Sequence, residues 1–196
     1  MTRVAPKAPI LAAIKRVRYT RLTKRGAHSL STRYATIEVA KEALNFSAAH
    51  FTIFNATDRE DLHGHNFQVA CEMTAELSEA GLMFDYSIVK RAIRALCDEI
   101  DEKVLLPEQS PHLAIEREGD YVIALFNGER IPFLPRDVLT LPIANTTVEE
   151  FSRYFLEKIR ALPAFEGFGV SRLRVKVASS PGQWGIAEWQ AILTTS

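Results

Sequence analysis

Two histidines flank a single glycine in "EDLHGHN", with Glu60 three residues before His63 and His65 two residues after it. Residues i and i+2 of a strand share a face, so these imidazoles can grip one object together. A third imidazole, His50, closes the apolar run "NFSAAH". If that run pairs antiparallel with "HGHNFQV" through the polar loop 55–62, His50 faces the same side. Three neutral imidazoles at about 2.0–2.1 Å suit zinc and leave a fourth position open for water or substrate. The plainer reading makes the pair a polar strand edge and His50 a solvated strand end. Glu60 then either helps to hold the ion or works on what the ion holds.

The elements that must position these side chains read as an α+β domain. "ALNFSAAHFTIF" is expected as a strand, "NATDREDL" as a loop, and "HGHNFQVACEMTAEL" as a long strand, with a turn at 78–81. In "FDYSIVKRAIRALCDEI", Ile88, Ala92, Leu96 and Ile100 recur at steps of four beside Val89 and Ile93. That is one apolar helical stripe, started by Asp85 or Ser87. Short strand-like pieces follow at 112–134, where Asn127-Gly128 signals a hairpin. A second helix carries Val148, Phe151, Phe155, Ile159 and Leu162 on one face. Thr146 with Glu149, or Thr147 with Glu150, makes its capping box, and Pro163 ends it. The chain closes on a hairpin, "VSRLRVKV" returning through "ASSPGQ" as "WGIAEWQAIL".

At 196 residues with 47% hydrophobic content, the chain is long enough for one domain with its own core. No run of eighteen apolar residues marks a membrane span, so a soluble protein is expected. The zero net charge conceals an asymmetry: residues 1–37 hold nine Lys or Arg and no acid, which leaves the remainder at a formal −9. A body of that sign is a poor partner for nucleic acid. The basic, Ser- and Thr-rich leader has the composition of an organellar transit peptide, and equally of a polybasic tail for an anionic partner or an extension without an address. Cys71 and Cys97 lack any ligand spacing and read as buried, reduced thiols in a reducing compartment, the cytoplasm.

The motifs "FSAAH" (46–50), "LHGHN" (62–66), "GLMFDYSIVK" (81–90), "IDEKVLLP" (100–107) and "NTTVEE" (145–150), with the final hairpin, share one resemblance. In them the chain resembles the 6-pyruvoyltetrahydropterin synthases and their bacterial relatives, the 6-carboxytetrahydropterin synthases. The resemblance divides the chain into a basic extension, 1–37, and a synthase-like domain, 38–196. It implies a four-stranded antiparallel sheet with a helix pair on one face, the tunnelling fold, plus an inserted β-hairpin excursion. It also implies homo-oligomers, trimers or hexamers, acting on small pterin substrates such as dihydroneopterin triphosphate. Zinc would be held by three histidines, which map onto His50, His63 and His65.

Departures from the family pattern shape the expected chemistry. The catalytic cysteine usual four residues before the first histidine is Arg59 here. A subset called type III instead places a glutamate in "RExLHGHN", and this chain matches with Glu60. That resemblance implies a base beside zinc, and cleavage of the dihydroneopterin triphosphate side chain to 6-hydroxymethyldihydropterin, a folate precursor. The family's Asp-His pair becomes Asp101-Glu102, expected as secondary acid or base groups, and an imidazole's titration near neutrality is lost. The glutamate that anchors the pterin ring becomes Ser179; losing such a charge-assisted contact costs about 1.5–3 kcal/mol. Thr146 and Thr147 either touch the pterin or cap the helix. Beside the lyase reading stand two others: a zinc-binding member with a changed, non-pterin substrate, and a non-catalytic protein that binds a ligand or a partner.

Overall fold

A computed structural model describes residues 32–191. Strands β1 (Tyr34–Val39), β2 (Asn45–His50) and β3 (His63–Glu76) lead into helix α1 (Ser87–Ile100). Next come β4 (Lys103–Pro107), β5 (Ala114–Glu118), β6 (Tyr121–Phe126), β7 (Glu129–Phe133) and β8 (Val138–Leu141). Helix α2 (Val148–Arg160) and the hairpin β9 (Val170–Ser180) and β10 (Gln183–Gln190) complete the order. The main sheet runs β10-β9-β3-β2-β4-β8, with β1 also paired to β3.

β3 organises this sheet because it is long enough to carry two short strands end to end. Its first half pairs antiparallel with β2, from His50↔His63 to Asn45↔Gln68. Its second half pairs with β1, from Val39↔Cys71 to Tyr34↔Glu76. Alternation turns Phe67, Val69, Cys71 and Met73 of β3 into one face, where both helices pack. Val89, Ile93 and Cys97 of α1 and Phe151, Phe155 and Ile159 of α2 are fully buried there. Phe46 stacks on Phe67 at 4.8 Å between ring centroids, and Phe151 meets Phe67 edge-on at 5.1 Å. The other face is polar, and Lys176 and Arg174 of β9 bridge to Glu72 of β3.

The four expected antiparallel strands are β2, β3, β9 and β10, and the sheet gains three more. β4 lies parallel to β2 (Ala48↔Lys103), and β8 lies parallel to β4 (Val104↔Val138). "KVLLP" is buried on both faces toward its end and shows no alternation, which hides such a strand from pattern reading. β1 begins at Tyr34, inside the segment read as a leader; residues 1–31 lie outside the described residues. The 112–134 excursion is a separate three-stranded antiparallel sheet, β5-β6-β7, rather than a single hairpin. Asn127 and Gly128 at its second turn both have positive φ, 46° and 81°, as a two-residue hairpin turn requires.

Helix starts differ from expectation in detail. Tyr86, not Asp85 or Ser87, is the N-cap residue of α1, while the Asp85 carboxylate accepts the Ser87 amide at 2.9 Å. Thr147 caps α2 by accepting the Glu150 amide, at 3.4 Å. The Thr146–Glu149 box does not form, because the Thr146 hydroxyl donates instead to the Phe51 carbonyl at 2.7 Å.

Candidate metal centre

The apolar core ends at Phe46, Phe67 and Phe151, and the imidazoles begin where the rings stop. His50 is the last residue of β2 and His63 the first of β3, directly opposite one another in the ladder. His65, two residues on, shares their face. Ring centroids lie 4.6 Å apart for His50 and His63, 4.9 Å for His63 and His65, and 5.4 Å for His50 and His65. One nitrogen from each of the three comes within 4.8 Å of the others. The antiparallel pairing expected from sequence thus brings all three histidines together.

Backbone carbonyls fix which nitrogen faces inward. His50 Nδ1 donates to the Thr146 carbonyl at 2.9 Å, and His63 Nδ1 donates to the Asp61 carbonyl at 2.8 Å. A neutral imidazole that donates through Nδ1 keeps its lone pair on Nε2. His63 Nε2 and His65 Nε2 are 3.2 Å apart. His50 Nε2 is buried with no hydrogen-bond partner among the described residues. An orphaned buried acceptor is costly, and a cation shared by three lone pairs satisfies it. Burial, reinforced by His63, pushes the His50 pKa down to about 4 against the raising effect of its Thr146 bond, so His50 stays in its neutral form near pH 7. The residues present fit a divalent metal ion.

Glu60 stands beside this cluster. Its Oε2 accepts the Thr52 amide at 2.9 Å, and its own amide donates to the Thr52 carbonyl at 2.9 Å. The same Oε2 lies 3.9 Å from His63 Nε2. Partial burial raises the Glu60 pKa, but the Thr52 hydrogen bonds and His63 outweigh it and hold the carboxyl below its usual range. No thiol is at hand: Cys71 and Cys97 are fully buried in the core, and burial raises both to about 12. Glu60 thus presents an ionised carboxylate beside the imidazoles.

The remaining sequence-selected residues are spread more widely. Asp101 caps the end of α1, and its carboxylate accepts the Ser47 amide at 2.7 Å. Glu102 follows at a left-handed φ of 57°, its amide on the Ser47 carbonyl at 2.8 Å. Ser47 lies three residues back from His50 on the opposite face of β2. Exposed Glu102 shares an open depression with Ser47, Gly64, His65 and Asn66, but no hydrogen bond joins Asp101 or Glu102 to an imidazole. Thr146 is fully buried and its hydroxyl is committed to Phe51; Thr147 is the helix cap. Ser179, half-buried, lies one residue beyond the Ala178↔Gln68 pair, toward the His65 end of β3.

Three contributors escaped sequence reasoning because they act through backbone atoms: the Thr146 and Asp61 carbonyls and the Thr52 amide. A fourth, Asn145, brackets Ile53, accepting its amide at 3.0 Å and donating to its carbonyl at 2.7 Å. An Asn two residues before the capping Thr147 was the one signal available.

A helix pair on one face of an antiparallel-based sheet, with three imidazoles at the end of its core, defines the tunnelling-fold class with a tri-histidine centre. The model of the 6-pyruvoyl tetrahydropterin synthase family matches residues 38–189, and the chain belongs to that family. A Methanocaldococcus jannaschii protein named "putative 6-carboxy-5,6,7,8-tetrahydropterin synthase" is 28% identical over 142 residues, covering 71% of this chain and 86% of its own. The crystal structure of Plasmodium vivax 6-pyruvoyl tetrahydropterin synthase superposes with a TM-score of 0.75 at 28% identity, covering 81% of this chain and 99% of the other. A second P. vivax structure, with the same score, identity and coverage, is of a variant in which a glutamate described as a catalytic residue is replaced by alanine.

Proposed function

We propose that this chain is a zinc-dependent lyase of pterin metabolism that cleaves the side chain of dihydroneopterin triphosphate, with 6-hydroxymethyldihydropterin as the pterin product. The observation that carries this reading is the meeting of inward-facing imidazole nitrogens with an ionised carboxylate: Glu60 Oε2 lies 3.9 Å from His63 Nε2. His50, His63 and His65 would hold Zn2+, which when bound polarises substrate oxygens and stabilises developing negative charge. The glutamate named as catalytic in the P. vivax relative supports the role given to Glu60.

Glu60 takes the proton of the hydroxyl on the second side-chain carbon. The bond between the first and second carbons breaks, the second leaves as an aldehyde carrying the triphosphate, and the electron pair passes to the first. A proton returned to that first carbon completes the hydroxymethyl group, so no redox cofactor is consumed. The Thr52 amide holds the Glu60 carboxylate in place beforehand, so little reorganisation accompanies the proton transfer. Exposed Glu102 is the secondary acid or base, beside the depression bordered by His65, and Asp101 fixes its junction through Ser47. Ser179, and Thr147 at the start of α2, stand as the ring contacts, and the chain works as a cytoplasmic homo-oligomer, a trimer or hexamer.

Purified, zinc-loaded protein incubated with dihydroneopterin triphosphate should yield 6-hydroxymethyldihydropterin by chromatography, and Glu60→Ala should abolish it. A protein that holds zinc yet neither binds nor converts any dihydropterin would overturn the proposal. Ser179 favours a second reading, the same centre acting on a non-pterin heterocycle, since a hydroxyl cannot make the bidentate contact of a carboxylate. Intact metal binding with conversion of another heterocycle would support that alternative.

A further inference from the structure

The residue at the family's usual cysteine position is not idle. Arg59 is largely buried, with its side chain 18% exposed, and it lies between two aromatic rings. Its guanidinium carbon is 5.0 Å from the Phe51 centroid and 5.6 Å from that of Phe126 in β6. One terminal nitrogen donates to the Glu60 carbonyl at 2.8 Å, and the other to the Glu129 carboxylate in β7 at 2.9 Å. Arg59 also forms an isolated antiparallel bridge with Ile53, the residue bracketed by Asn145. The ion pair with Glu129, itself 61% exposed, would by itself matter little. Two ring faces, a backbone acceptor and a carboxylate together define a single placement of the guanidinium, which a lysine's point charge cannot reproduce.

We propose that Arg59 is a positioning residue that ties the Glu60 loop to the β5-β6-β7 sheet and so keeps the Glu60 carboxylate on the Thr52 amide and beside the imidazoles. This rests on the reading of Glu60 as the base. The three-stranded excursion then has a task in the site without sending any side chain to the imidazoles. Its Phe126 and Glu129 hold the arginine, the arginine holds the Glu60 backbone, and the backbone aims the carboxylate. Without the clamp, the loop keeps the paired bonds between Glu60 and Thr52, the Phe54 and Asn55 amides on the Asp58 carbonyl, and the Asn145 side chain on Ile53. A base that leaves its place for part of the time slows the chemical step while substrate binding is kept.

The test uses full-length, metal-loaded protein, with Arg59→Met to keep the apolar stem, Arg59→Lys to keep the charge, and Glu129→Ala to remove only the partner. Amide hydrogen exchange followed by NMR reads the loop directly. In Arg59→Met, the Thr52 and Glu60 amides should exchange at least about tenfold faster, while Val175 and Val177 in β9 exchange as in the native chain. Glu129→Ala should show the same pattern at smaller amplitude, and Arg59→Lys should recover only part of the protection. Metal content should stay at the native stoichiometry. With dihydroneopterin triphosphate, kcat should fall by about 10- to 100-fold, the range typical of residues that support a site, with KM within about twofold. Native exchange at Thr52 and Glu60 in Arg59→Met would overturn the proposal, as would equal acceleration throughout β9 or a raised KM with native kcat. If the native chain does not turn this pterin over, the lyase reading fails separately, and the exchange measurements still decide whether Arg59 clamps the loop.

Discussion

Thr146 shows how much a single buried residue can do through its carbonyl and its hydroxyl. Its carbonyl sets the tautomer of His50 and its hydroxyl satisfies the Phe51 carbonyl. Thr146→Val keeps the shape and the carbonyl but leaves the Phe51 acceptor unpaired in the interior. It should destabilise the protein by about 1–3 kcal/mol in urea unfolding. The cysteines make the opposite case, residues with reactive chemistry placed where it cannot be expressed. With Cys71 and Cys97 raised to about 12 by burial, iodoacetamide at pH 8 should leave both unmodified in the native protein and label both in urea, as read by intact mass. Labelling of either under native conditions would contradict that placement.

Between elements, β10 meets the start of α2 closely at Gly185. A Cβ there would sit 2.4 Å from the Val148 carbonyl carbon and 2.7 Å from the Glu149 nitrogen, backbone atoms at the start of α2 that cannot swing aside. Gly185→Ala must therefore push hairpin and helix apart, and should cost on the order of 1–3 kcal/mol or more. An unchanged midpoint of chemical denaturation would refute the contact. The polar face of the sheet is held differently, by Lys176 bridging Glu72 and Glu38 and by Arg174 on Glu72. The hydrogen bond from Lys176 leads in holding the Glu72 pKa below its ordinary value, against the raising effect of burial. The sign follows: the native state binds this proton less readily than the unfolded chain. Glu72 therefore stabilises the fold above the ordinary carboxylate range, and that contribution is lost as pH falls through the depressed folded value. Glu72→Gln should lower stability by on the order of 1 kcal/mol at pH 7, and the gap to the native chain should close in acid.

At the scale of the whole molecule, the three imidazoles join elements that are distant in sequence. β2 and β3 supply them, and the turn before α2 orients His50 across 96 residues of chain. An ion bound there favours only the folded state, since the unfolded chain does not bring the nitrogens together. Chelation should therefore lower the melting temperature, and restoring Zn2+ should raise it again. The expected shift corresponds to about 4 kcal/mol when free zinc is a thousand times the dissociation constant. His63→Ala should melt at the same temperature with and without metal. Among the described residues, no helix is long and apolar enough to cross a membrane.

Much of the frame was legible from the chain alone. The periodicity in "FDYSIVKRAIRALCDEI" placed α1 within a residue of its true start, and "HGHNFQVACEMTAEL" was legible as one long strand, β3. The HxH spacing put two imidazoles on one face, because a strand's period of two admits no other arrangement. What only the tertiary structure decided lies in backbone atoms and long-range register, which side-chain identity does not encode. The Thr146 and Asp61 carbonyls choose the inward nitrogens, and the Thr52 amide fixes Glu60. With β1, the parallel additions β4 and β8 make a seven-stranded sheet of the four strands that alternation could reveal. Arg59 and Asp101 reach their partners only through folding: sequence gave their charges, and the packing of distant segments gave those charges something to hold.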